Sequence, residues 1–267
     1  MGFDSVWICV LFDFFERLTD IKKKLKTVQD MSGRQQKPDV ASSLMLVELL
    51  KSLKSLMDYR MLSQHTGIPV STLTRYVTNK TLPRGRKTLE LVNKLLNMED
   101  IKTLIGERIV INGEDVDISK VVAESHLMKL AAIYLMREYA GHRIDCVLAL
   151  DNPGLVLATA FGLQTMKETY YSETNDSLAE HGWAEIRYRI RGMRTSSRVY
   201  IPKTVLNKNV LIVLGVFDSF APLEQVRDRI VDSKGDVVGV CGLAALKELR
   251  KQVKPYQLGR VFFFAEV

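Results

Sequence analysis

Cysteine and histidine are scarce in this 267-residue chain, and their spacing excludes several kinds of site. The three cysteines, Cys9, Cys146 and Cys241, are odd in number, far apart and outside any metal-ligand spacing. Cys146 and Cys241 lie in apolar runs, so we expect reduced thiols inside a core, as in a cytoplasmic protein. The four histidines do not cluster with Cys, Asp or Glu, and no hydrolase nucleophile pattern is present. The sequence therefore predicts no metal and no cofactor.

Long apolar runs are also missing. The apolar stretches of the first 30 residues are interrupted by Asp4, Asp13 and Glu16, so none reaches the roughly 20 residues that cross a bilayer. No basic segment precedes them, which argues against a secretory signal. Three interpretations remain: a helix on a partner, a helix on a membrane surface, or synthesis that begins at Met31. We favour the last, and treat residues 1–40 as an extension that is disordered or not translated.

Positive charge is concentrated in one part of the chain, whose net charge is +7. Residues 51–108 hold eleven Lys and Arg against five Asp and Glu, whereas residues 109–267 hold twenty against nineteen. Such a concentration is typical of a domain that neutralises nucleic-acid phosphates. The alternative is a basic surface that contacts only solvent.

Apolar residues recur at helical spacing through the basic segment, which predicts a small all-helical domain over residues 41–105. The predicted helices are Ala41–Leu56, Leu62–Thr66, Ser71–Val77 and Thr88–Met98. Gly67 follows the second helix and can adopt the left-handed conformation of a tight turn.

The two helices around Gly67 have the pattern of a DNA-binding helix-turn-helix. The residues expected to face inward are apolar: Leu62, Ile68, Val70, Leu73 and Tyr76. The residues expected to face outward, towards base edges or phosphates, are Ser71, Thr72, Thr74 and Arg75. The residues expected to hold the DNA backbone are Gln64, Lys80, Arg84, Arg86 and Lys87. The alternative is an ordinary helical hairpin.

This arrangement resembles the helix-turn-helix of the phage-repressor and Cro class. One such unit binds weakly, so the pattern implies a homodimer that places two recognition helices about 34 Å apart on a DNA palindrome.

Residues 106–118 are predicted to form a linker hairpin, because Asn112 and Gly113 make a turn dipeptide between short apolar runs. A helix over Lys120–Tyr139 follows. Strands and helices then alternate to the end of the chain. The predicted strands are Ile144–Leu150, Gln164–Tyr170, Val210–Leu214, Val237–Cys241 and Val261–Phe264. The predicted helices are Pro153–Phe161, Pro222–Ser233 and Leu243–Val253. Apolar strands separated by helices predict a parallel sheet covered on both faces, and thus an α + α/β chain.

Two segments, CVLALDNPGLVLATAFG from Cys146 and VLIVLGVFDSFAP from Val210, resemble type I phosphoribosyltransferases. Over residues 119–267 the order of elements is similar to the orotate phosphoribosyltransferase-like domain that follows a helix-turn-helix in a group of archaeal transcription regulators. The resemblance implies that the loop after the first sheet strand, with Asp151, Asn152 and Gly154, approaches a pyrophosphate or another anion. Pro153 removes one amide donor from that loop.

The second segment departs from the family pattern. The family carries two adjacent carboxylates that hold the ribose hydroxyls or a metal, and Leu214 and Gly215 stand in their place. The loop that would wrap the 5-phosphate has bulky Phe217 and Phe220, acidic Asp218, and Pro222 without an amide hydrogen. These departures from the family pattern imply a domain without catalytic activity. Asp218 and Ser219 remain candidate ligand-binding residues. Ser219, with the helix start beside it, could hold a smaller anion, or an aromatic ring could fill the pocket.

Arginines alternate along the segment that forms a mobile flap in the family: Arg187, Arg189 and Arg191, followed by Arg194 and Arg198. Alternation places the first three on one face of a strand. This face is either solvated or a second basic surface.

The sequence predicts a cytoplasmic, nucleoid-associated, dimeric transcription regulator that binds double-stranded DNA, does not enter membranes, and has a degenerate phosphoribosyltransferase-like domain for dimerisation and for sensing a phosphorylated small molecule. One alternative is a phosphoribosyltransferase of nucleotide salvage. The other is an assembly protein that binds DNA without sequence preference.

Overall fold

The computed structural model describes residues 40–83, 87–96, 100–113, 115–175, 182–189, 196–251 and 258–267. Contacts divide these residues into two units, the first comprising residues 40–51 and 57–95 and the second comprising residues 52–56 and those after 95. Apart from Val40, the predicted N-terminal extension lies outside the described residues.

The first unit contains the helices that the sequence predicts, although the second begins at Tyr59 rather than at Leu62. They are α1 (Val40–Leu56), α2 (Tyr59–Thr66), α3 (Val70–Val77) and α4 (Lys87–Leu96), with α1 continuing into the second unit. Leucines at helical spacing form the buried side of α1: Leu46, Leu49, Leu50 and Leu53. Asp58 begins α2 by accepting a hydrogen bond from the N–H of Met61 at 2.8 Å. Leu62 of α2 and Leu73 of α3 are fully buried, as the apolar spacing predicts for these two residues.

The boundary between the units lies at Leu95, before the boundary at 105 that the sequence suggested. A short helix, α5 (Asp100–Gly106), follows it. Ile101 and Ile105 of α5 are buried in the core of the second unit, which explains the shift. The predicted linker hairpin is present as strands β1 (Val110–Asn112) and β2 (Asp115–Asp117), which pair antiparallel around Gly113 at φ 66°.

The helix predicted over Lys120–Tyr139 is interrupted. It forms α6 (Ser119–Ala123) and α7 (Ser125–Glu138), because Glu124 between them has an extended backbone with φ −85° and ψ 92°. Five described strands form a parallel sheet in the order β4-β3-β7-β8-β9. They are β3 (Cys146–Ala149), β4 (Glu168–Tyr171), β7 (Asn209–Phe217), β8 (Asp236–Ala245) and β9 (Arg260–Glu266). The predicted parallel sheet is thus confirmed.

The remaining elements connect these strands. They are α8 (Asn152–Thr165), the antiparallel pair β5 (Trp183–Tyr188) and β6 (Ser197–Pro202), a 3-10 turn (Lys203–Val205), α9 (Ala221–Asp232) and α10 (Lys247–Lys251). Apolar side chains cover the sheet in two separate clusters, as expected for a parallel sheet between layers. Neighbouring residues of β7 alternate between them, with Leu211 and Val213 in one and Val210 and Ile212 in the other.

Two predicted boundaries between a helix and a strand were wrong. The strand expected over Gln164–Tyr170 begins only at Glu168, because α8 continues to Thr165 and ends at Met166 in the left-handed conformation. The helix expected from Leu243 begins at Lys247, because β8 continues to Ala245. The final residues of β8 are apolar and buried between β7 and β9, and this pairing outweighs their helical propensity.

Cys146 and Cys241 are buried free thiols, as the sequence predicts. Burial raises the pKa of the Cys146 thiol to about 11 and raises the pKa of Cys241 as well. At pH 8 only about 0.1% of a thiol with such a pKa is thiolate, the reactive form.

We predict that a Cys9→Ser variant reacts with an aromatic disulfide reagent only after unfolding. Absorbance at pH 8 should show little released thiol from the native protein and two equivalents in urea. Rapid release from the native protein would contradict the buried placement.

Candidate functional sites

The turn between α2 and α3 is held by its backbone conformation and by two hydroxyl groups. Gly67 ends α2 with φ 72°, and its N–H donates to the carbonyl of Ser63 at 2.8 Å. The Ser63 hydroxyl donates to the carbonyl of Ile68 at 2.7 Å, and the N–H of Ile68 donates to the Thr66 hydroxyl at 3.2 Å. The predicted turn at Gly67 therefore has a defined geometry.

The predicted recognition helix, α3, has one buried side. Leu73 is fully buried, whereas Ser71 and Arg75 are exposed and Thr72 and Thr74 are half-buried. The hydroxyl of Thr74 donates to the carbonyl of Val70 at 2.9 Å, so it can offer DNA only its acceptor lone pairs. Gln64 and Lys80 are exposed as well.

The expectation that Val70 faces inward was wrong, since its side chain is 40% exposed. On a turn of 3.6 residues, positions three apart differ by about 60° around the axis. With Leu73 at the centre of the buried side, Val70 lies at its edge.

Three predicted DNA contacts cannot be placed. Arg84 and Arg86 lie outside the described residues, as does the side chain of Lys87 at the start of α4.

The predicted anion site of the second unit is occupied by a carboxylate of the chain itself. Asp151 lies between β3 and α8, and its Oδ1 accepts hydrogen bonds from the N–H of Gly154 at 2.5 Å and of Gly215 at 2.8 Å. Its Oδ2 lies 2.9 Å from the Gly215 nitrogen and 3.5 Å from the Val216 nitrogen. Asp151 therefore turns towards protein amides rather than towards a ligand.

Burial raises the pKa of the Asp151 carboxyl group. The N–H donors of Gly215, Gly154 and Val216 offset part of that rise, and the negative charge of Asp218 adds to it. Because the charged form is disfavoured by burial, the three amides are the groups that make this carboxylate tolerable in the fold.

Two glycines permit the close approach that Asp151 needs. A Cβ atom on Gly154 would lie 2.6 Å from Asp151 Oδ1 and 2.9 Å from the nitrogen of Gly215. A Cβ atom on Gly215 would lie 2.5 Å from the Cβ of Pro153 and 2.9 Å from the Cδ1 of Ile118. There is consequently no space for a carboxylate side chain at position 215.

Aromatic packing replaces the expected phosphate loop. Strand β7 continues through Phe217, three residues beyond its predicted end, because β8 pairs with it as far as Ala245. Phe217 is buried and stacks on Phe263 with ring centroids 5.4 Å apart. The ring of Phe220 is perpendicular to that of Phe217, with centroids 4.9 Å apart. Leu214, only 7% exposed, belongs to the same apolar cluster.

The polar residues that remain in this loop have limited capacity for a ligand. Asp218 is exposed, and the Ser219 hydroxyl accepts a hydrogen bond from the N–H of Ala221 at 3.3 Å. Asn152 is exposed on the first turn of α8. Of the predicted ligand residues, the structure joins Asp151 and Gly154 directly and leaves Asn152 and Asp218 open to solvent.

The β5–β6 pair carries a basic face. Arg187 and Arg198 are opposite each other in the register, and Glu185 contacts both, at 2.7 Å and 3.5 Å. Arg189, directly after the end of β5, is exposed as well. Arg191 and Arg194 lie outside the described residues.

A depression of about 710 Å³ lies at the amino ends of the sheet strands, away from the predicted site. It is lined by residues that include Arg143, Asn209, Asp236 and Arg260. Arg143 and Arg260 are paired with Asp145 and Glu138, so the cationic groups there are largely neutralised. The sequence did not indicate this depression, because its lining comes from several separate segments.

No protein-family model matches the chain, and no curated protein matches it. Solved structures of adenine phosphoribosyltransferases do match its C-terminal part. The enzyme from Thermoanaerobacter pseudethanolicus is 13% identical, with a TM-score of 0.55 over 62% of this chain and 99% of the enzyme. The enzyme from Rhodothermus marinus is 15% identical, with a TM-score of 0.55 over 63% and 99%.

The enzyme from Saccharomyces cerevisiae, solved with adenine and an imino-altritol bisphosphate, is 12% identical, with a TM-score of 0.54 over 62% of this chain and 99% of the enzyme. Identities this low establish the fold and nothing further. The second unit has a type I phosphoribosyltransferase-like α/β fold, so that part of the expected resemblance is confirmed.

No described helix is both long and apolar enough to cross a membrane. No three described His, Cys, Asp or Glu side chains come together as metal ligands do.

We predict that Asp151→Ala destabilises the second unit by about 2–4 kcal/mol, because the N–H groups of Gly154 and Gly215 lose their acceptor. Urea unfolding, followed by the fluorescence of Trp183 in a Trp7→Phe background, measures this change. Asp151→Asn retains the Oδ1 acceptor and should cost less. Equal stability of Asp151→Ala and wild type would show that these bonds contribute nothing.

The raised pKa of Asp151 also predicts a pH effect with a definite sign. The folded state binds the proton more tightly than the unfolded state, so this group makes the free energy of unfolding fall as pH rises from the unfolded value of about 4 to the folded pKa. Asp151→Asn should remove that fall. Urea unfolding between pH 3.5 and pH 7 compares the two proteins, and parallel curves would contradict the assignment.

Proposed function

We propose that this protein is a sequence-specific, dimeric DNA-binding transcription regulator whose phosphoribosyltransferase-like unit has no catalytic activity. One observation carries the proposal: α3 follows a tight turn, buries Leu73, and leaves Ser71 and Arg75 exposed. A recognition helix needs this division between an anchoring side and a polar side that enters the major groove.

The polar side chains of α3 each have a chemical role in this proposal. The Arg75 guanidinium can donate two hydrogen bonds to one guanine, and the Ser71 hydroxyl can contact a base edge or a phosphate. Thr72 and Thr74 add acceptors beside them. The DNA backbone is contacted by Gln64, Lys80, Arg84, Arg86 and Lys87. These contacts account for the excess of positive charge in residues 51–108.

The contacts around Asp151 and Gly215 support the proposal that this unit has no catalytic activity. A phosphoribosyl diphosphate needs free amides and carboxylates at the carboxyl ends of β3 and β7. Here the amides of Gly154 and Gly215 are bound to Asp151, and apolar Leu214 and Gly215 stand at the carboxylate positions. The unit then serves to join two copies of the chain, and any sensed ligand is a small phosphorylated molecule near Ser219.

A phosphoribosyltransferase of nucleotide salvage is the second candidate, because the fold is that of adenine phosphoribosyltransferases. We predict that no nucleobase is converted to its nucleotide when the protein is incubated with phosphoribosyl diphosphate and Mg²⁺. Chromatography of the products, with an authentic adenine phosphoribosyltransferase as the positive control, tests this. Formation of a nucleotide by the purified protein would contradict the proposal of an inactive unit and would support a phosphoribosyltransferase.

Variants of α3 test the regulatory function. In a selection from random duplexes, wild type should enrich a palindromic motif, and Arg75→Ala should lose preference at one guanine, at a cost of about 1–3 kcal/mol. Ser71→Ala should change preference at a neighbouring position. Lys94→Ala, an exposed cation on α4, is the matched control and should retain the motif.

The outcome of that selection separates regulation from assembly. Uniform coverage of DNA without a motif would support an assembly protein that binds without sequence preference. A motif that survives both α3 substitutions would place the recognition surface elsewhere.

Lys80 is expected to contact phosphate rather than bases. We predict that Lys80→Ala weakens binding to all sequences similarly and reduces the slope of log affinity against log salt by about 0.9. Fluorescence anisotropy from 50 to 300 mM salt measures the slope. A change in sequence preference, with the slope unaltered, would contradict this role.

A further inference from the structure

Two arginines lie directly opposite each other on the β5–β6 pair. The register places Arg187 of β5 against Arg198 of β6, so their Cβ atoms are roughly 5 Å apart on the same side of the pair. Their side chains are 68% and 46% exposed. Like charges in directly opposed positions destabilise a strand pair. The arrangement therefore costs folding free energy unless an anion lies beside the two guanidinium groups.

A carboxylate of the chain, that of Glu185, lies beside both arginines. Its Oε1 is 2.7 Å from the Nε of Arg187 and 3.5 Å from the Nε of Arg198. We refer to these three residues as the arginine face. One negative charge against two positive ones leaves the arginine face with a net positive charge, and Arg189, directly after β5, is exposed as well.

Positive charge is also concentrated around this face along the chain. Residues 182–203 contain six Lys and Arg against one acidic residue. The other residues between 109 and 267 contain fourteen Lys and Arg against eighteen Asp and Glu. The segment that holds the β5–β6 pair is therefore basic within an otherwise acidic part of the chain.

The opposite side of the pair is fixed in the core. Apolar residues alternate with the charged ones and are buried in one of the two apolar clusters: Ala184, Ile186, Val199 and Ile201. Tyr200, across from Glu185 in the register, is buried as well. The guanidinium groups are consequently presented on a defined surface.

We propose that the arginine face binds the phosphate backbone of duplex DNA. Guanidinium groups donate paired hydrogen bonds to phosphate oxygens, and release of counterions from the phosphates drives the association. Binding of this kind needs no recognition of bases. The proposal goes beyond the proposed function, which assigns DNA contacts to α3 and to residues of the first unit alone.

The composition of the face argues against other partners. Its exposed side chains are charged, whereas a protein interface or a membrane surface needs apolar area to bury. A small phosphorylated ligand needs a concave site, and Arg187 is largely open to solvent.

Single-stranded nucleic acid needs exposed rings on which its bases can stack. Tyr200 is buried beneath the face and offers none. Trp183, at the other end of β5, is half-buried, and its ring contacts that of Tyr171. The arginine face thus provides charge without a stacking platform, which suits the outside of a duplex.

The salt dependence of binding to a duplex of random sequence tests the face, measured by fluorescence anisotropy of the full chain from 50 to 300 mM salt. Arg187→Ala with Arg198→Ala should reduce the slope of log affinity against log salt by about 1.8, which is 0.9 for each lost phosphate contact. Arg187→Lys with Arg198→Lys retains both charges and should retain the slope. The matched control, Lys167→Ala with Arg229→Ala, removes two exposed cations outside the pair and should leave the slope at the wild-type value.

Circular dichroism with thermal melting establishes that each variant is folded. The single variants Arg187→Ala and Arg198→Ala, each with an expected fall in slope of about 0.9, serve where the double variant does not fold. An equal fall in the control would show that net charge alone matters and would overturn the proposal. So would an unchanged slope in the alanine variants, or a lysine variant that behaves like the alanine variant.

Competition separates duplex DNA from other anionic partners. Single-stranded DNA of the same length, polyglutamate and vesicles that contain anionic lipid compete with the duplex for wild type and for the alanine variant. Weaker competition by all three supports the proposal. If any of them binds wild type more tightly than the duplex and loses that advantage in the alanine variant, the face has a different partner and the proposal fails.

Selection from random duplexes with the same proteins separates this proposal from the proposed function. If the alanine variant loses slope but wild type enriches no motif, the arginine face stands and sequence-specific regulation fails. If wild type enriches a palindrome and the alanine variant keeps the wild-type slope, regulation stands and the arginine face does not contact DNA.

Discussion

The hydrogen bonds of Asp151 join two segments of the second unit that lie 64 residues apart in the chain. One carboxylate caps the start of α8 and accepts from the backbone of β7 at Gly215. Both partners must be glycine, because a Cβ atom on either would collide with the opposing segment. The amides of Gly154 and Gly215 at this end of the sheet are thereby bound by the protein's own carboxylate.

These contacts determine which groups are available at the carboxyl ends of β3 and β7. The chain uses the amides there internally. The rings of Phe217, Phe220 and Phe263 pack together beside them. Such packing stabilises the domain, because it removes aromatic surface from water.

Much of the architecture could be predicted from the sequence. Apolar periodicity located the helices of the first unit and the strands of the parallel sheet, and Gly67 and Gly113 marked turns that both have positive φ. The observed secondary structure differs from the predicted one where contacts with residues distant in the sequence determine the backbone conformation. Leu243–Ala245 would suit a helix, yet pairing with both β7 and β9 makes them strand. At Glu124 the backbone turns extended in the middle of a helical pattern, and no local signal marked that break.

At the candidate site, too, some features follow from the sequence and others only from the tertiary structure. By itself, the sequence determined that Leu214 and Gly215 stand where carboxylates are expected, because the sequence states which side chain each position carries. It also determined the apolar spacing that buries Leu73 and leaves Ser71 and Arg75 at the surface. Only the tertiary structure decided that Asp151 points inward, because its acceptor role depends on amides that folding brings from another strand. The spacing of apolar residues describes residues that are close in the sequence. The hydrogen-bond partners of a buried carboxylate are residues that are distant in the sequence, and the packing of the folded chain determines which they are.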